Sequence, residues 1–419
     1  MNRVIVTGIG VVSPVGNGRS DFWRGLVGGR SGIGPLTLFD ASTFPVRIGG
    51  EVKGLDLAGL AARFPGARGE RDRKVWLGLA AVEEALADAG LVAGDMQAAA
   101  LHVGVGLEVF FLEDVARIAN AADPGRAAGA LVDGPADAQP LQTPLDRLGQ
   151  VIGDHYGILG GRYTNCSACA AGAQVIGEAF ERLRDGEAEV ALAGAADSML
   201  NPLGVGGFGL LRVLSAENDR PQQACRPFDA TRQGTVLGEG AAFVVLETLD
   251  RARRRGARTY AEILGYGCSM DAFRVSDPEP SGRGAVLSMA RALADAGLRP
   301  DAVDCVNAHG TGTPKNDVVE TAAIKEVLGD RARRIPVHAV KSMTGHMIAA
   351  SGAVEAVAAV LTLVANTVPP TINLRTPDPE CDLDYVADGS RPMTGRTVLS
   401  NSFGFGGQNA TLIFGRYDA

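Results

Sequence analysis

The chain has 419 residues, 46% of them hydrophobic, and a formal net charge of -8. That is enough apolar chain for a large core, in one big domain or two fused units. The acidic balance excludes nonspecific nucleic-acid binding as a primary role. No apolar run reads as long enough to span a membrane, and Met1 to Gly8 begins as a strand rather than as a signal peptide. The six cysteines (Cys166, Cys169, Cys225, Cys268, Cys305 and Cys381) are scattered. A reduced, cytoplasmic protein is therefore expected.

In chain order, Arg3-Val-Ile-Val-Thr-Gly-Ile-Gly10 reads as a buried strand entering a glycine turn. Gly8-Ile-Gly-Val-Val-Ser13 imitates a dinucleotide fingerprint. Ser13 stands at its third glycine, however, and Pro14 follows where the helix should run, so no such cofactor is expected. Val75 to Leu91 reads as an amphipathic helix ending at Gly90. Its last turn, Ala85-Leu-Ala-Asp-Ala-Gly-Leu91, recurs unchanged as Ala292-Leu-Ala-Asp-Ala-Gly-Leu298. An apolar strand and a glycine turn follow each copy, 99–106 and 303–310, which points to duplication.

Late strands follow in both halves, 190–198 and 242–247 in the first and 397–402 and 410–414 in the second. Strands alternating with helices imply α/β layers. The expected organisation is a half spanning 1–250 and a similar half spanning 251–419, packed face to face. The first half is longer, and its extra length includes an insertion near 107–150. An insertion of that length is expected to form a cap or partner surface.

Four stretches carry chemistry. Tyr163 to Phe180 passes Cys166 and Cys169 and then becomes small and helical. Cys169 near a helix start would face unpaired N–H groups, which favour the thiolate. A buried cysteine in a small-residue helix is the other reading. His309 sits where an apolar strand meets the turn Gly310-Thr311-Gly-Thr313. Lys341 and His346 flank a second glycine turn, and a small-residue helix carries Glu355 inside it. A buried acid there needs a cation, for which Lys341 is the candidate. Asn401 to Asn409 is a glycine-rich turn holding Phe403 and Phe405, able to bring N–H groups to a reacting oxygen. Cys166 and Cys169 also make a Cys-x-x-Cys, but with no second pair, so no metal site is expected.

Ordered motifs now carry a resemblance over nearly the whole chain. They are Ser167-Ala-Cys169-Ala-Ala-Gly, Arg226-Pro-Phe-Asp, Leu237-Gly-Glu-Gly, His309-Gly-Thr-Gly-Thr, Lys341-Ser-Met-Thr-Gly-His346, Pro369-Pro-Thr-Ile-Asn and Asn401-Ser-Phe-Gly-Phe-Gly-Gly407. The sequence resembles the β-ketoacyl-acyl carrier protein synthases of the thiolase superfamily, in the Cys-His-His branch of elongating synthases and type II polyketide ketosynthases. The resemblance implies a duplicated, five-layered α/β/α/β/α thiolase fold and a homodimer or a heterodimer with a related chain. It implies decarboxylative condensation of an acyl group on Cys169 with malonyl-acyl carrier protein. No cofactor is implied, since substrates ride on the carrier protein's phosphopantetheine.

The same resemblance implies the roles. Cys169 is the nucleophile, and His309 and His346 bind the malonyl carbonyl. Lys341 positions a histidine and is itself held by Glu355. The N–H groups of Cys169 and Phe405 form the oxyanion hole. Thr311 and Thr313 meet the phosphopantetheine, Phe405 gates, and Phe403, Phe208, Leu107 and Phe110 meet substrate. Departures from the family pattern touch substrate choice: Arg274 for a usual histidine, Gln233 for aspartate, Thr235 for phenylalanine, Gln408 for threonine, and Glu108, Val109 and Phe110 for small residues. Two alternatives stand beside this reading. One is a thiolase acting on coenzyme A esters, against which the cysteine-free turn at 403–407 counts. The other is the catalytic half of a ketosynthase/chain-length-factor pair.

Overall fold

The structure, a computed structural model, describes residues 1–107, 110–123, 125 and 143–418. Ten strands form its main sheet: β1 (Val4–Ser13), β2 (Ala100–Val105), β3 (Arg162–Asn165), β4 (Val190–Ser198), β5 (Glu239–Thr248), β6 (Ala261–Met270), β7 (Cys305–Asn307), β8 (Val337–His338), β9 (Thr397–Gly404) and β10 (Gln408–Gly415). The spatial order is β8-β7-β9-β10-β6-β1-β5-β4-β2-β3, with a short hairpin strand, Gly16–Asn17, added to β1. Cut between β6 and β1, this gives two five-stranded halves with the same order and the same mix of parallel and antiparallel pairs. The halves join through an antiparallel pairing of Val4–Val6 with Ala261–Ile263.

Five helices complete the layers: α1 (Arg73–Ala89), α2 (Ala171–Asp185), α3 (Arg283–Asp295), α4 (Pro314–Leu328) and α5 (Ser351–Ala365). Helices α2 and α5 pack on each other and on strands of both halves, so they form the middle layer. Helix α1 covers the outer face of the first half, and α3 with α4 that of the second. The result is the five-layered α/β/α/β/α arrangement.

The repeated heptapeptide has a structural cause in each half. Strand β1 carries one extra residue between Val6 and Gly8 against β5, and β6 one between Ile263 and Gly265 against β10. Each bulge leaves a strand N–H without its ladder partner. Asp88 Oδ2 accepts the N–H of Ile9 at 3.0 Å, and Asp295 Oδ2 accepts that of Tyr266 at 3.0 Å. The helix lies close because the strand offers glycine there. A Cβ on Gly8 would stand 2.4 Å from the Ala85 carbonyl oxygen, and one on Gly265 2.5 Å from that of Ala292.

Helix α5 corrects one expectation. The stretch Ile348–Ala365 has a mean hydropathy of 2.0 over 18 residues, long and apolar enough to cross a membrane by length and composition, and 89% of it is buried inside the protein. It is the core helix of the middle layer, and its hydrophobicity is used against protein on every side. The insertion is described only in part. Helices Leu112–Ala119 and Arg147–His155 belong to it, while Glu108, Val109 and most of the Asn120 to Asp137 loop lie outside the described residues.

Candidate active site

Cys169 stands in a short turn, Ala168–Ala170, feeding directly into α2. Asn165 Oδ1 shapes that turn by accepting the Ser167 N–H at 2.9 Å and its hydroxyl at 2.6 Å. Ala168 then takes φ +49°, a left-handed conformation that a non-glycine residue holds only when its surroundings enforce it. The second half repeats the device. Ile348 at φ +44° precedes Ala349, and α5 follows. The two helix starts interlock through glycine: a Cβ on Gly172 would stand 2.5 Å from Ala353 N, and one on Gly352 2.6 Å from Ala173 N. Glycine at both positions is what lets the helix after Cys169 and the histidine-bearing segment approach.

The thiol is not the depressed one that the sequence suggests. Cys169 is buried, and burial pushes its pKa up to about 11. The N–H of Phe405, the charge of Lys341 and the N–H of Cys169 itself pull the other way, while Asp197 adds to the rise. A helix start favours the anion only as far as desolvation allows, and here desolvation wins. Asp197, itself pushed up to about 6 by burial, accepts the Ala349 N–H at 3.1 Å and so ties β4 to the turn of the second half. Cys166 points elsewhere: it is exposed, and its Sγ donates to the Gly106 carbonyl at 3.3 Å.

His309 follows β7. Its N–H and that of Gly310 are both accepted by Glu320 of α4, at 2.8 Å each, and Asn401 Nδ2 bonds the same carboxyl at 3.3 Å. The chain's only signal for Glu320 is an acid among Val319, Ala322 and Ala323, and sequence reasoning passes over it. Lys341, fully buried, places Nζ 3.1 Å from His309 Nδ1 and 2.8 Å from the His309 carbonyl oxygen, and it also bonds Glu355 Oε1. Three donors thereby meet three acceptors. Nδ1 of His309 accepts from the ammonium, so the ring proton is on Nε2. The Lys341–Glu355 pair expected from sequence is present, with burial pushing the Glu355 carboxyl up to about 7 against the pull of Lys341.

His346 reaches the same tautomer by another route. Its Nδ1 accepts the Ile348 N–H at 3.2 Å and lies 2.9 Å from Ser351 Oγ. The backbone N–H of His346 donates to the Val236 carbonyl at 2.7 Å. Nε2 is again the protonated nitrogen. The two rings lie 5.4 Å apart at 84°. Burial holds both imidazoles well below the ordinary histidine range, and the Lys341 charge adds to this, so both are neutral donors.

One cavity of about 350 Å³ joins these groups. Cys169, His309, His346, Phe403 and Phe405 line it, with Thr311, Thr313, Thr235 and Phe208. The hydroxyls of Thr311 and Thr313 lie 2.9 Å apart, and Thr313 also caps α4. The Phe208 and Phe405 rings stack at 5.9 Å and 26°. Leu107 and Phe110 are not among the lining residues of this chain. They are 65% and 45% exposed, while the neighbouring Phe111 packs under the Arg71 guanidinium at 3.7 Å. Arg274 is also outside the cavity wall, 3.4 Å from Asp277.

The chain matches the β-ketoacyl synthase N-terminal domain over residues 1–252 and the C-terminal domain over residues 260–375. It is 43% identical to a 3-oxoacyl-[acyl-carrier-protein] synthase 2 of Synechocystis sp., covering 99% of this chain and 98% of that one. Two solved structures are similar over nearly the full length. The ishigamide ketosynthase/chain length factor superposes with TM-score 0.85 at 35% identity, covering 100% of both chains. A type II polyketide synthase acyl-carrier protein in complex with its ketosynthase, bound to the hexaketide, gives TM-score 0.85 at 31% identity over 99% of this chain and 100% of that one. With a cysteine thiol and two imidazoles on one cavity, and with matches over both halves, the chain belongs to the β-ketoacyl synthase family of condensing enzymes.

Proposed function

We propose that the protein condenses an acyl group held on Cys169 with malonyl-acyl carrier protein, with loss of CO2. The observation that carries this reading is the pair of imidazoles, His309 and His346, each with Nδ1 engaged by the protein, on one cavity with a cysteine thiol. In acyl transfer the Cys169 sulfur bonds the acyl carbon, the carrier thioester breaks, and the thiol proton goes to the departing phosphopantetheine thiolate. The malonyl thioester then enters with its carbonyl oxygen between the two Nε2–H groups. Loss of CO2 leaves its electron pair as an enolate, whose charge falls on that oxygen. The enolate carbon attacks the acyl carbonyl, a C–C bond forms, and Cys169 leaves as thiolate. The N–H groups of Cys169 and Phe405 hold the oxyanion of that second step.

Neutral imidazoles suit this work, because each gives a hydrogen bond without first needing a proton. Lys341, anchored by Glu355, fixes the His309 ring and keeps its proton on Nε2. Thr311 and Thr313 meet the phosphopantetheine, and the Phe208–Phe405 stack with Phe403 governs what passes. No cofactor of the protein's own enters the reaction. The partners are a carrier protein and a second chain, identical or related, toward which the exposed Leu107 and Phe110 are turned to complete an acyl pocket. The solved neighbours, one a ketosynthase/chain length factor and one a ketosynthase with its carrier protein, support both partners. A cytoplasmic site of action fits six cysteines that form no disulfide.

Intact mass spectrometry after incubation with a panel of acyl-carrier proteins tests the reading. The wild-type chain and Cys166→Ala gain one acyl mass, and Cys169→Ala gains none. Acyl mass mapped to Cys166 in the wild type contradicts the assignment.

A further inference from the structure

The second imidazole has a side-chain partner to which the condensing reaction has given no part. Ser351 opens α5 and is buried. Its Oγ accepts the Met347 N–H at 2.9 Å and lies 2.9 Å from His346 Nδ1. The backbone decides which of that pair gives the proton. The Ile348 N–H reaches the same Nδ1 at 3.2 Å, so Nδ1 carries a lone pair and the hydroxyl donates to it. Among the described residues, Nδ1 is the one acceptor within reach of that hydroxyl proton.

The duplication supplies a control inside the same chain. The turns ahead of α2 and α5 correspond residue by residue. Ala168 and Ile348 are left-handed, the Ala170 and Ala350 N–H groups donate to the Ser167 and Met347 carbonyls, and Gly172 and Gly352 interlock. In that register Ser351 stands where the first half has Ala171, which opens α2 and is fully buried. The turn and the helix start are therefore built there without a hydroxyl. The N–H that matches Met347, that of Ser167, is accepted by Asn165 Oδ1 instead. The hydroxyl belongs to the half that carries His346, and it reaches that ring.

We propose that Ser351 is a positioning residue for His346, holding that ring through Nδ1 as Lys341 holds the ring of His309. Each imidazole then has a side-chain donor on Nδ1, an ammonium in one case and a hydroxyl in the other. Donation into Nδ1 keeps the ring proton on Nε2. It also draws electron density from the ring, which makes Nε2–H the stronger donor. That gain grows with the charge on the accepting oxygen, so it is larger for the enolate than for the malonyl carbonyl, and it lowers the barrier. Ser351 thus acts on loss of CO2 through His346 and takes no part in acyl transfer to Cys169. This rests on the condensing reading above.

The test compares wild type with Ser351→Ala, which installs the side chain found at the matching position of the first half. Three quantities are measured on both: CO2 release from malonyl-pantetheine, acyl loading of Cys169 from an acyl-pantetheine, and the 15N spectrum of the histidine rings. Loss of one neutral hydrogen bond predicts that kcat for CO2 release falls by roughly two- to tenfold, with the malonyl KM and the loading rate changed far less. The His346 Nδ1 resonance moves toward that of an imine nitrogen free of donors, while the His309 signals stay in place. Unchanged CO2 release, or an unmoved His346 Nδ1 resonance, overturns the inference alone. An equal loss of loading also overturns it, since the hydroxyl would then serve the turn through Met347. A wild type that releases no CO2 overturns the condensing reading, and the part of Ser351 in it.

Discussion

At the scale of single residues, the site depends on where two protons sit. His309 and His346 are unrelated in their second contacts, a lysine ammonium in one case and a backbone N–H in the other, yet in both Nδ1 is engaged, which leaves the proton on Nε2, and both residues line the cavity. Because burial lowers both pKa values well below 6.5, acidification through pH 6 should leave both rings neutral. In a chain labelled with 15N-histidine, the ring-nitrogen spectrum at pH 6 is expected to show these two residues as Nε2–H tautomers; imidazolium signals, or protons on Nδ1, would contradict the account. Cys169, His309, Lys341, His346 and Glu355 are legible in the sequence as candidates because each stands in a short motif. Glu320 is not: it acts on backbone N–H groups ten and eleven residues away across a turn. The thiol misleads for a related reason, since a helix start is visible in the sequence and full desolvation is not.

At the scale of elements, the heptapeptide repeat is readable as letters but not as a mechanism. Its aspartates answer strand bulges, and its alanines face glycines on β1 and β6. The bulges themselves leave no signature in Val4 to Gly10. Helices α2 and α5 show the same economy of bulk, and the small residues of both stretches announce it. Their contact brings the Cys169 turn against the histidine segment, so it carries both stability and geometry. Gly172→Val is expected to destabilise the fold by roughly 1–3 kcal/mol through overpacking, seen as a lower urea midpoint, and to slow acyl loading of Cys169. An unchanged midpoint and loading rate would mean that the helices can separate at no cost to the site.

At the scale of the whole molecule, duplication has been put to asymmetric use. Both halves make a strained turn ahead of a buried helix. One turn presents Cys169, and its counterpart presents Ala349 beside His346. The first half thus supplies the Cys169 thiol, the second supplies both imidazoles and the Phe405 turn, and the cavity belongs to neither alone. The duplicated α/β organisation is legible from the repeat and the paired late strands. The sharing of one cavity is less so, because it follows from the face-to-face packing of α2 and α5. A division of labour between halves implies separable partial reactions. The direct measurement is CO2 release from a malonyl thioester, beside acyl loading of Cys169, for His309→Ala and His346→Ala. Loss of one preorganised donor is expected to cut CO2 release by on the order of 100-fold or more, with loading reduced far less. Unchanged CO2 release in both variants, or equal loss of both partial reactions, would contradict the assignment of the two imidazoles to the enolate oxygen.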